Sequence, residues 1–113
     1  MHAHEIPNLR FSVPAGANIP RRRFVTINAS GEGVLASAGE YVIGVSMNDA
    51  DAGEVLEVSD GIVIVETGEA VSAGAKVSVG ANGKAVADTA AASVVGIAIT
   101  GAGAGGTIAV KII

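Results

Sequence analysis

Short runs of β-branched and other apolar residues recur along the chain, and Gly, Pro, Asn and Asp separate them at intervals of about ten residues. Residues 24–28 are rich in β-branched and aromatic residues, and residues 76–79 alternate between polar residues and valine. No helical periodicity extends beyond one or two turns. We therefore predict an all-β fold, a small barrel or sandwich of short strands. The predicted strands span residues 11–13, 24–28, 34–36, 41–46, 54–58, 62–65, 76–79, 85–87, 94–99 and 107–113.

Local sequence signals add detail to this pattern. The Asp-Gly pair at 60–61 lies between two β-branched runs and predicts a tight hairpin, and the Asn-Gly pair at 82–83 predicts a second tight turn. Residues 41–46 are apolar on both faces, which is typical of a central strand. Gly44 within that strand indicates a bend or a close approach of another backbone. Residues 88–92 begin with Asp and are mostly Ala, which predicts a turn of helix.

The chain also contains an internal repeat. Residues 42–46 (VIGVS) return as residues 94–98 (VVGIA), 52 positions later. At this offset, 13 of the 48 aligned positions between residues 11–58 and 63–110 are identical. About 5 identities would be expected by chance in a sequence so rich in Ala, Val and Gly. The alignment predicts two copies of one small β unit.

Composition limits how large the hydrophobic core can be. The chain of 113 residues has the length of one domain. Half of its residues are apolar, but only 3% are aromatic, so Val, Ile and Ala must build the core. Sixteen glycines raise the entropy cost of folding. A thin core on a flexible backbone indicates that oligomerisation or a partner adds stability.

The absence of cysteine excludes disulfides, thiol nucleophiles and thiolate metal sites. Residues 1–5 lack the charged start and apolar run of a signal peptide. Gly, Ser or Thr interrupts every apolar stretch well before the length of about 18 residues that a membrane span requires. We therefore expect no membrane partner and assembly in a cytoplasm.

Charge divides the chain into two parts. Residues 1–23 contain four arginines and one acid, a net charge of +3, whereas residues 24–113 contain three lysines and ten acids, a net charge of −7. We predict an extended N-terminal arm over residues 1–23 and a single β domain over residues 24–113. Arginine suits bidentate contact with carboxylates or phosphates, so the arm is a candidate contact segment. A solvated charge run is the alternative for residues 21–23.

Candidate metal, cofactor and catalytic residues lack the partners that each chemistry needs. His2 and His4 are the only histidines, and no second cluster of ligands accompanies them. Asp49 and Asp51 lack the closing glutamate of a calcium loop. The G-x-G-x-x-G sequence at residues 101–106 precedes a predicted strand, whereas a dinucleotide cradle needs a helix there. No nucleophile elbow occurs. We expect no enzyme activity, cofactor or metal site.

The arginine cluster and Lys84 each suggest a binding function. The three consecutive arginines have no interleaved aromatic residues and belong to an acidic protein, so an acidic protein surface is favoured over nucleic acid. Lys84 follows a tight turn, the position at which biotin and lipoyl carriers display their modified lysine. The Met-Lys-Met or Asp-Lys-Ala setting of those carriers is absent here. A carrier domain therefore stays as an alternative.

Short motifs form a series over about residues 19–113. They are residues 38–40 (AGE), 42–45 (VIGV), 52–55 (AGEV), 61–63 (GIV), 71–77 (VSAGAKV), 82–85 (NGKA), 95–98 (VGIA) and 105–110 (GGTIAV). As a series, these motifs resemble the small capsid cement (head decoration) proteins of tailed bacteriophages. The resemblance carries no catalytic residues with it.

The resemblance implies a non-enzymatic, β-rich protein on the outer surface of the expanded phage head, assembled in the host cytoplasm. It implies the major capsid protein as partner, often bound by a homotrimer that clamps neighbouring subunits. A small β module of a phage tail or fibre is the alternative from another class. Together with the charge pattern, the resemblance to cement proteins predicts that the capsid contacts come from Arg10, Phe11, Arg21, Arg22 and Arg23.

Overall fold

In the part of the chain that the structure describes, nine β-strands form one curled antiparallel sheet, which confirms the predicted all-β class. The computed structural model describes residues 6–87 and 93–113, so the predicted helical turn at residues 88–92 lies outside the described residues. Within those ranges the one helical element is a 3-10 turn, Ala81–Gly83, and no helix is long and apolar enough to cross a membrane. The strands are β1 (Ile6–Pro14), β2 (Phe24–Ile27), β3 (Gly33–Leu35), β4 (Gly44–Ser46), β5 (Val55–Glu66), β6 (Lys76–Val79), β7 (Ala85–Ala87), β8 (Gly96–Ala98) and β9 (Thr107–Ile112).

The sheet consists of two five-stranded units that share β5. The strand order is β3-β2-β4-β5-β9-β8-β6-β7, and β1 also pairs with β5. The first unit contains β1 to β4 with the N-terminal half of β5, and the second contains the C-terminal half of β5 with β6 to β9. A parallel bridge between Ala15 and Gly33 links the end of β1 to β3, and one between Thr67 and Ala85 links the end of β5 to β7. These bridges curl each unit upon itself.

The two units have the same strand register at the offset of the sequence repeat. Val25 pairs with Leu35 in the first unit, and Val77 pairs with Ala87 in the second. Both members of the second pair lie 52 positions after those of the first. The bridges Ala15–Gly33 and Thr67–Ala85 keep the same offset, as do Ile19–Ala50 and Val71–Ala102. Equivalent positions in the two units can therefore be compared directly.

Each unit has an aliphatic core, as the composition predicted. The core of the second unit also includes Phe24, Ala36 and Val45, which belong to strands or loops of the first unit. Burial of these three side chains joins the units into one body. The first core contains Ala15, Ile19, Val25, Ala50, Leu56 and Val58, and the second contains Val63, Val65, Val71, Val77, Val79, Ala85, Ala98, Ile108 and Val110.

The hairpin predicted at residues 60–61 is wrong, because β5 runs through this position without reversing. Each half of β5 already has antiparallel partners from elsewhere in the chain, β1 and β4 for one half and β9 for the other. Gly61 has a φ of +114°, a conformation that side chains disfavour. The strand changes the face that it buries there, from Val58 in the first core to Val63 in the second. The Asp-Gly pair thus marks the crossing between units.

Part of the segment predicted as an arm pairs with the sheet. β1 runs antiparallel to β5 from Ile6 opposite Ile62 to Pro14 opposite Val55. Ile19 is then buried in the first core, 2% exposed. The division of the chain at residue 23 stays a prediction, and the described part of residues 1–23 lies against the body.

Candidate functional site

The five predicted contact residues lie in two places. Arg10 is exposed on β1, and Phe11 beside it is half-buried against the first core, so its ring contributes to packing. The three arginines at residues 21–23 form the turn that leads into β2. The structure therefore separates Arg10 and Phe11 on a strand from the arginine turn.

The arginine turn is fixed by hydrogen bonds from its backbone. The Ser46 hydroxyl, buried in β4, donates to the Pro20 carbonyl at 2.7 Å and accepts from the Arg23 N–H at 3.1 Å. The Arg22 N–H donates to the Ser46 carbonyl at 2.8 Å. The Asp49 carboxylate accepts from the Arg21 N–H, also at 2.8 Å. These bonds hold the backbone of all three arginines in one defined position.

Arg23 points into the molecule and contacts the second unit. Its guanidinium lies 3.5 Å from the Glu66 carboxylate and donates to the Asn82 carbonyl at 3.2 Å. Lys84 contacts the same carboxylate at 3.1 Å. The Arg23 side chain is only 14% exposed. Arg23 therefore links the two units through its two terminal nitrogens, whereas its Nε is buried without a hydrogen-bond partner among the described residues.

Arg21 and Arg22 border a shallow notch on the surface. The notch has a volume of about 200 Å³, and Ser46, Met47 and Ile64 line its remaining walls. Among the described residues, the ion pairs involve Arg23 and Lys84 but neither of these two arginines. The notch offers two cationic groups beside a partly apolar surface.

A larger groove lies where the two units meet. Its volume is about 590 Å³, and both ends of the described chain contribute to it. Three of its side chains are largely exposed: Leu9 at 57%, Tyr41 at 86% and Ile113 at 78%. Large apolar side chains exposed together mark a contact surface. The other lining residues are Phe11, Gly39, Glu40, Val42, Ile43, Asp60, Ser93, Val94, Val95 and Ile112.

Lys84 and the glycine-rich segment at residues 101–106 both make contacts within the fold. Lys84 is ion-paired with Glu66 and half-buried, unlike the exposed lysine that a carrier domain displays. The glycine-rich segment at residues 101–106 connects β8 to β9, as predicted, and the Thr67 hydroxyl donates to the Gly103 carbonyl within it. In the described ranges, no three His, Asp or Glu side chains are grouped to hold a metal ion. His2 and His4 lie outside the described residues.

Sequence comparison finds the family that the motif series resembles. The family model of the phage cement proteins matches residues 3–112. Among curated proteins, no significant match is found. Among solved structures, the chain resembles the crystal structure of the head fiber gp8.5 N base in bacteriophage phi29, with 22% identity, a TM-score of 0.79 and 93% of each chain covered. At this identity the likeness shows a shared fold.

Proposed function

Since the chain belongs to the phage cement protein family, whose model matches residues 3–112, we propose that it is a capsid decoration protein. It binds the outer surface of the expanded head and stabilises contacts between major capsid subunits. The family match over nearly the whole chain is the observation that carries this proposal. The role is structural and needs no catalytic step or cofactor.

Two surfaces support this role. The notch beside Arg21 and Arg22 suits an acidic side chain of the capsid protein, because guanidinium groups bind carboxylates with two parallel hydrogen bonds. The groove around Leu9, Tyr41 and Ile113 suits a contact between copies in a homotrimer, because the centres of such interfaces are apolar and rich in aromatic residues. Repetition of modest contacts over a lattice gives high avidity.

A second candidate function follows from the similar fold in phi29. That protein is described as the N base of a head fiber. A chain with this fold would then attach a projecting fibre to the head instead of reinforcing it. Cement and fibre base both bind the head, but only a cement protein raises the resistance of the shell to heat or pressure.

Co-sedimentation with heads tests the proposal. We expect the purified protein to pellet with expanded heads made from the major capsid protein of the same phage, and much less with unexpanded heads. Expansion moves the capsid subunits relative to one another, and a site that spans subunits forms in only one arrangement. Half-saturation concentrations for the two kinds of head give the preference.

A heat challenge completes that experiment. Bound protein should raise the temperature at which expanded heads come apart, which separates a cement protein from a fibre base. Equal binding to both kinds of head would contradict the proposal, as would binding to neither.

A further inference from the structure

Arg22 has a backbone conformation that side chains rarely adopt. Its φ is +66°, and the only other described residue besides glycine with a positive φ is Asn82. Asparagine enters this left-handed region more readily than arginine does. An ordinary side chain held in this region is often found at a functional site.

The second unit shows what the fold itself requires at this position. Gly74 lies 52 residues after Arg22, has a φ of +84°, and donates its N–H to the Ala98 carbonyl as Arg22 donates to the Ser46 carbonyl. Glycine enters the left-handed region without steric cost. The turn therefore forms without a side chain at this position in the second unit.

The first unit also has a hydroxyl that holds this turn and that the second unit lacks. The Ser46 hydroxyl bonds to Pro20 and Arg23 on both sides of Arg22, whereas the equivalent residue is Ala98. The Arg22 carbonyl in addition accepts from the Glu66 N–H at 2.9 Å. Backbone bonds on both sides thus fix the position from which the Arg22 side chain extends.

We propose that Arg22, held in this conformation beside Arg21, is the specificity residue that binds a carboxylate of a major capsid subunit. The inference rests on the proposed function and names its contact. The planar guanidinium suits a carboxylate, and Met47 and Ile64 in the notch suit the aliphatic stem of an acidic side chain. Phosphate of nucleic acid fits less well, because residues 24–113 carry a net charge of −7.

Arg22→Gly is the variant that tests this proposal, because it reproduces the residue of the second unit. Arg22→Lys keeps the charge but loses the planar fork, and Lys76→Ala removes one exposed positive charge elsewhere. We expect Arg22→Gly to melt at the wild-type temperature or above it, because glycine relieves the left-handed strain. We expect its half-saturation concentration on expanded heads to rise about tenfold or more.

The controls separate the contact from general electrostatics. Arg22→Lys should bind with intermediate strength, and Lys76→Ala should bind as the wild type does. The difference between wild type and Arg22→Gly should shrink as salt is raised, because ion pairs near the surface are screened.

Three results would overturn the inference. A lower melting temperature for Arg22→Gly would mean that the arginine serves the fold. If wild type binds expanded heads and Arg22→Gly binds them equally well, the proposed carboxylate contact is refuted and the proposed function is not. Competition by duplex DNA at the same salt concentration would assign the arginine to phosphate. Failure of the wild-type protein to bind heads would instead overturn the proposed function, and the inference with it.

Discussion

Phe24→Ala should lower the free energy of unfolding by about 3 to 5 kcal/mol, the usual cost of truncating a buried phenylalanine. Phe24 is fully buried and is the largest such side chain in the described residues. It lies in the first unit but belongs to the core cluster of the second. Because small domains are stable by only about 5 to 15 kcal/mol, this loss would remove much of the stability of the chain.

Phe24 differs in character from its counterpart in the second unit. The equivalent position in the second unit is Lys76, which is exposed. Phe24 thus departs from the repeat in order to join the units. Equilibrium unfolding in urea measures the effect, and Tyr41→Ala is the matched control, because that aromatic side chain is 86% exposed. A loss below about 1 kcal/mol for Phe24→Ala, or an equal loss for Tyr41→Ala, would contradict this account.

Gly44→Ala and Gly96→Ala should each destabilise the fold by about 2 to 4 kcal/mol through steric overlap. A Cβ on Gly44 would overlap the Ser59 carbonyl oxygen, and one on Gly96 would overlap the Lys111 carbonyl oxygen. Both oxygens belong to backbone within a strand pairing, so neither can move away cheaply. The two glycines let β4 and β8 lie close against β5 and β9.

Gly103→Ala is the control for these two variants. No heavy atom lies within 4 Å of a Cβ built there, and its φ is not positive. Alanine should therefore be neutral or slightly stabilising at that position, because it restricts the unfolded chain. Thermal unfolding of the three variants side by side measures the difference. Melting temperatures that are lowered equally in all three would show that loss of glycine, and not overlap, causes the effect.

Local sequence patterns could predict the strands because their signals lie within a few residues. Enrichment in β-branched and aromatic residues identified β2, alternation identified β6, and the predicted close approach at Gly44 is present in the structure. The offset of 52 in the sequence is also the offset of the strand register. Residues 41–46 formed a shorter strand than predicted, since only Gly44–Ser46 pairs with neighbours on both sides.

The hairpin prediction failed because turn chemistry describes only the residues at the turn. The Asp60 carboxylate accepts from the Gly61 N–H at 2.8 Å, an interaction also compatible with a strand that changes face. Whether the chain reverses there depends on which distant strands pair with each half of β5. Pairing with β1 and β9 involves residues about 50 positions away and has no local signal.

The candidate site could be predicted only in outline. Charge identified the three arginines, but their separation into an internal link at Arg23 and two arginines that border the notch depends on the position of Glu66. The alignment of the repeats contains a signal for Arg22, because it places an arginine opposite Gly74. The groove combines residues from both ends of the chain, so no stretch of sequence shows it.

A density map of expanded heads decorated with this protein tests the central claim most directly. The account predicts density for the nine-stranded fold on the outer surface of the shell, in contact with at least two major capsid subunits. An acidic side chain of one subunit should lie against the notch at Arg21 and Arg22, and the map should show three copies around each site. Density on the inner surface, at the tail alone, or in contact with a single subunit would contradict the account.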